Sequence, residues 1–132
     1  WIPPEVVAEI TDGPTGDPGK EWISNPSHIK IPQATTISTS IREFELGSGE
    51  SAVIELGLQM KSQQVWLCLD DYRARQVAKQ LGLQCRGSIG LVLEAKRSGF
   101  LSSARNALEK LQEAGLHMHE GLIETAIEEA DE

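Results

Sequence analysis

The sequence predicts an α/β fold in which a parallel sheet is covered by helices on both faces. Three observations predict it. Residues 65–69 (VWLCL) form a continuous apolar run of strand length, the pattern of a strand buried on both sides. Short runs of this kind alternate along the chain with longer segments whose apolar residues recur at helical spacing. Strands that alternate with helices are joined through them, and such crossovers make neighbouring strands parallel.

Taken in order, Trp1-Ile2 reads as the end of a strand, and Pro4 suits the first turn of a helix that carries Val6, Val7 and Ile10. Residues 12–20 hold three glycines and two prolines and read as a loop. Ile29 and Ile31 alternate with Lys30 and stop at Pro32, which predicts a short strand. A helix is expected over 36–46, although its β-branched content is high. Ser48 is placed to cap a clearer helix, with Glu50 in its first turn and Ala52, Val53, Leu56 and Met60 on its apolar face. The 65–69 strand ends directly in Asp70-Asp71. A helix with Ala74, Val77, Ala78 and Leu81 follows, stopped by Gly82. Next come a short strand at 83–85 and a helix from Gly87-Ser88 through about Arg97, closed by Gly99. Another helix starts at Ser102 or Ser103, with Ala104, Ala107, Leu108 and Leu111 inward and Gly115 as its stop. Leu122, Ile123, Ala126 and Ile127 mark the last.

The chain has 132 residues, 39% of them hydrophobic and 24% charged, which suits one compact soluble domain. No run reaches the roughly 18 apolar residues that span a bilayer. The opening Trp1-Ile2-Pro3-Pro4 is neither a basic nor a long apolar segment, so no signal peptide is expected. The formal net charge is −8, which argues against a non-specific nucleic-acid binder but not against a nucleic-acid enzyme whose metal neutralises clustered carboxylates. Cys68 and Cys85 lie in apolar runs and read as buried small hydrophobes. A cytoplasmic, reducing compartment is expected.

The acidic residues carry the functional signal. Asp70 and Asp71 stand at the carboxyl end of the most apolar strand, the edge where open α/β sheets bind ligands. Glu50 opens the helix feeding that strand, and Glu9 lies on or near the face carrying Val6 and Ile10. Carboxylates that converge from separate segments repel one another unless they hold a cation, and hard oxygen donors suit Mg²⁺ or Mn²⁺. Taken singly, each of these acids is more often a cap or a first-turn charge, and among 20 acidic residues spacing alone is a weak signal.

Several stretches, read together, resemble one family. They are Gly49-Glu50-Ser51-Ala52-Val53-Ile54-Glu55-Leu56-Gly57, then Leu67-Cys68-Leu69-Asp70-Asp71-Tyr72-Arg73-Ala74-Arg75, then Leu81-Gly82-Leu83, then residues 87–99 (GSIGLVLEAKRSG). The series resembles the PIN-domain proteins of bacteria and archaea predicted to bind nucleic acid, relatives of VapC-type toxins. The opening 2–10 (IPPEVVAEI) is similar to the segment carrying the second acid of that family. The resemblance implies a three-layer α/β/α PIN-like fold with a parallel sheet. It implies Mg²⁺- or Mn²⁺-dependent cleavage of RNA without a covalent nucleophile. It implies catalytic roles for Glu9, Glu50 and Asp70 or Asp71, with Glu9, Glu50 and Asp71 as the metal ligands. The family's first strand, and the aspartate at its end, would precede Trp1, so a single PIN-like domain over 1–132 is expected to lack that strand.

Arg73, Arg75 and Lys79 follow the acidic pair on one helix, where they either hold RNA phosphates or form a solvated face. Lys96 and Arg97 sit in a last turn and read as structural. Gly87-Ser88-Ile89-Gly90 lacks the third glycine of a dinucleotide fingerprint and reads as a turn and cap. His117 and His119 have too few neighbouring donors to predict a zinc site. The apolar faces of the last two helices are core or, alternatively, a surface for a homodimer or an antitoxin protein. Two functions remain: a metal-dependent ribonuclease, in the setting of a toxin–antitoxin pair, or a non-catalytic module that binds a protein.

Overall fold

The architecture is that of a computed structural model describing residues 1–25, 27, 29–34, 36–116 and 120–130. The chain divides into two compact units, 1–85 and 86–132.

In the first unit, α1 (Pro4–Asp12) begins on a proline, whose missing N–H is one the first helical turn leaves unpaired anyway. The glycine- and proline-rich stretch is not all loop. Asp17 accepts from the Gly19 amide at 2.7 Å and starts α2 (Pro18–Ile23), again with proline at its head. No strand forms at 29–31. The two expected strand fragments meet through one backbone hydrogen bond, from the Ile2 N–H to the Lys30 carbonyl (2.9 Å), too little for a ladder.

The helix expected over 36–46 shrinks to α3 (Thr39–Arg42). Glu45 turns to positive φ and ends that segment. The long helix is α4 (Ser48–Gln59), which buries Ala52, Ile54, Glu55, Leu56 and Gly57. Its N-cap is Gly47, not Ser48. A short 3-10 turn, Lys61–Gln63, leads into β1 (Trp66–Cys68), which is followed by α5 (Tyr72–Gln80) and β2 (Gln84–Arg86). The two strands form a small parallel sheet.

β1 departs from the doubly buried strand that its apolar run suggests. Leu67 and Leu69 are buried, but Trp66 is 54% exposed and Cys68 is also exposed. Only one face of the strand is covered by this unit. Cys85 is half-buried, so neither cysteine is the fully buried hydrophobe expected. The core gathers Ile41, Ile54, Leu67, Leu69, Ala74, Val77, Ala78 and Leu83. Gly57 lies against Leu67 so closely that a Cβ there would sit 2.8 Å from Leu67 Cδ1. That contact fixes how α4 crosses β1.

The second unit is three helices, α6 (Ser88–Arg97), α7 (Ala104–Glu113) and α8 (Glu120–Glu129). Their core is Val92, Leu93, Ala104, Leu108, Ile123, Ala126 and Ile127. Ser103 caps α7 by accepting from the Asn106 amide, and Gly115 at positive φ follows its end, both as the sequence suggests. Leu122 is exposed, not part of the core face. Arg97 pairs with Glu129 at 2.9 Å, a role beyond the helix-dipole one expected for it. His117 and His119 lie outside the described residues.

Candidate functional site

The first turn of α4 is where the sequence-marked acids meet the fold. A helix start leaves its first amides without intrahelical partners. The N-cap here is a glycine with no side chain to supply an acceptor, so the acceptor comes from another element. Glu9 reaches over from α1, and its Oε1 accepts from the Gly49 N–H and the Ser48 hydroxyl, both at 3.0 Å. Negative charge at this end is further favoured by the helix dipole.

Glu50 folds back on the same turn. A Cβ at Gly47 would collide with Glu50 Oε2, and a Cβ at Gly49 would lie 2.6 Å from Glu9 Oε2. The two glycines flanking Ser48 therefore make room for two carboxylates at one helix end. Glu9 is mostly exposed, although one of its oxygens is engaged.

The second acidic pair behaves differently. Asp71 is the N-cap of α5 and accepts from the Ala74 amide at 2.7 Å. Asp70 is exposed beside it. Arg75 turns back over the strand end, where its Nη1 donates to the carbonyls of Leu69 (2.9 Å) and Asp70 (2.6 Å). Its guanidinium also lies 5.9 Å from the centroid of the Tyr72 ring. Arg75 thus closes the strand end, while Arg73 and Lys79 stay exposed on the helix surface.

Glu9 and Glu50 thus stand at the start of α4, and Asp71 caps the start of α5 with Asp70 exposed beside it.

These oxygens suit a hard divalent cation in type. Among the described residues, however, no three His, Cys, Asp or Glu side chains gather closely enough to hold a metal ion. Glu9 and Asp71 each spend an oxygen on a backbone amide. The donor chemistry suits such an ion, but among the described residues a complete ligand set is not assembled.

Sequence reasoning located the acids but missed Ser48 as a hydroxyl donor to Glu9, and missed the reason for Gly47 and Gly49. The alternation of glycines around Ser48 was the available signal.

A family model described as DUF3368, a PIN domain, matches residues 1–132. The chain belongs to the PIN-domain family. PIN domains are generally nucleases and typically depend on divalent metal ions. No curated protein and no solved structure matches the chain. Among the described residues of this PIN domain, no helix is long and apolar enough to cross a membrane.

Proposed function

We propose that this PIN domain is a Mg²⁺- or Mn²⁺-dependent ribonuclease that hydrolyses phosphodiester bonds at the edge formed by the starts of α4 and α5. The observation that carries the proposal is the crowding of Glu9 and Glu50, from separate segments, onto one helix start that glycines leave open. Glu9, Glu50 and Asp71 are the residues that would hold the ion, with Asp70 beside them. When bound there, the cation would supply an activated water and a counter-charge for the phosphoryl oxygens. The chain's own part is to present carboxylate oxygens on rigid helix ends and to offer Arg73 for a neighbouring phosphate. Arg75 contributes by holding the strand end that carries the aspartates. A toxin's role, opposed by an antitoxin protein in a cytoplasmic setting, would be one use of such an activity.

A second reading has an observation of its own. Because Glu9 and Asp71 both serve as helix caps, the acids have a structural purpose without a metal, as a non-catalytic protein-binding PIN module would require.

Cleavage of a single-stranded RNA with Mn²⁺ separates the two. Glu9→Gln and Asp71→Asn keep a side-chain oxygen to accept the Gly49 and Ala74 amides, so both variants should fold. The nuclease reading expects each to lose at least about 100-fold in rate, on the order of 3 kcal/mol of barrier. Equal cleavage by the variants would remove Glu9 and Asp71 from the metal site, and no cleavage by the parent chain would favour the binding module.

A further inference from the structure

Tyr72 is the chain's only tyrosine and stands directly after Asp71, at the first position of α5. Its ring is 68% exposed, yet it is not loose on the surface. Arg75, three residues on, brings its guanidinium carbon to 5.9 Å from the ring centroid, within cation–π reach. Arg75 is itself tied down, because its Nη1 donates to the carbonyls of Leu69 and Asp70. The strand end holds the guanidinium, and the guanidinium holds the ring.

A restrained ring loses less side-chain freedom when a second flat group stacks on it than a free one would. The electron-rich face of an aromatic ring suits another planar π system, offset and parallel. Nucleobases are such systems, and single-stranded nucleic acid is held on platforms of this kind, with arginine adding a cationic contribution. A base inside a duplex has both faces covered by its neighbours, so a ring of this kind takes an unpaired one. Arg73, the next residue, is exposed and can meet the phosphate that such a base carries. The chain's net charge of −8 gives a phosphate backbone little general attraction, which leaves stacking a larger share of the binding.

We propose that Tyr72, backed by Arg75, stacks an unpaired nucleobase of RNA and so sets which nucleotide lies beside Asp70 and Asp71. The proposal rests on the nuclease reading for RNA as the ligand and adds the part of the RNA that is gripped. A peptide can offer a flat side chain too, but the exposed cation of Arg73 beside the ring matches the phosphate that every nucleotide brings.

The test measures binding of a fluorescein-labelled adenosine octaribonucleotide to the full chain in EDTA, beside the same ribose-phosphate octamer without bases. The parent should bind the base-bearing strand at least about fivefold more tightly, the scale of one stacked base. Tyr72→Phe should keep that preference, and Tyr72→Ala should bind both strands alike. The single tyrosine ring signal should move upfield in NMR with the base-bearing strand only. The ring is exposed, so neither substitution disturbs the core. Equal binding of the two strands by the parent, or an undiminished preference in Tyr72→Ala, overturns the proposal. No binding of either strand by the parent up to about 1 mM overturns it as well and leaves the ring to a protein partner. Cleavage with Mn²⁺ is read separately. A base preference carried by Tyr72 in a chain that does not cleave RNA removes the nuclease reading alone, and cleavage by a parent without that preference removes the stacking alone.

Discussion

Asp71 caps α5 and also stands on the proposed nuclease edge, and two substitutions separate those parts. Asp71→Ala removes the oxygen that accepts the Ala74 amide, and losing such a cap typically costs about 1 kcal/mol. Asparagine caps about as well as aspartate, so Asp71→Asn should unfold within a few tenths of a kcal/mol of the parent. Urea titrations of the two variants check this, and an equal loss in both would mean that the carboxylate charge, not the cap, is what stabilises α5. This cap was legible in the sequence because it is local: the acceptor and its amide are three residues apart. The Glu9 contact was not legible, because 40 residues separate it from Gly49 and no pattern along the chain encodes that meeting. The backbone contacts of Arg75 were hidden for a related reason. Helical spacing places it on a face, but only the fold shows the Leu69 and Asp70 carbonyls within its reach.

At the scale of elements, boundaries held where a punctuating residue acts on its own neighbours. Gly82 and Gly115 take positive φ directly after their helices, and Ser103 caps α7. They failed where the support comes from elsewhere. The segment 36–46 holds only one helical turn, and that turn depends on Glu55 of α4. The Glu55 carboxylate, 9% exposed, accepts from the Ser38 amide at 2.9 Å and from the Ser38 hydroxyl at 2.8 Å. It is a helix cap delivered across 17 residues of sequence. Glu55→Ala should leave that amide without its acceptor and cost roughly 1–3 kcal/mol. Glu55→Gln keeps one acceptor oxygen and should recover most of the loss. Thermal melts of both variants, with exchange at the Ser38 amide, decide it. Unchanged protection of that amide in Glu55→Ala would remove Glu55 from its role in holding α3.

At the scale of the whole molecule, the apolar pattern carried most of the core residues but not how they are grouped. Helical spacing marked Ala74, Val77 and Ala78 in one segment and Leu108, Ile123 and Ile127 in others, and all of these are buried. Nothing in that spacing says that the first group belongs to one core and the second to another. The exposure of Trp66 and Cys68 escaped the pattern for the same reason: an apolar run marks residues that can be covered, without saying what covers them. Two separate cores have a consequence for stability. Ile54 and Leu108 are each fully buried, one in each core. Truncating either to alanine removes apolar contact and leaves a cavity, at a cost of about 2–5 kcal/mol. Cores that share no buried residue can open by separate local events, so the damage should stay within its own unit. Leu108→Ala should accelerate amide exchange through α6, α7 and α8 while residues 48–81 keep the parent's protection. Ile54→Ala should do the reverse. Exchange measured residue by residue in both variants tests this, and equal acceleration throughout the chain in either one would show that the two cores open as a single cooperative unit.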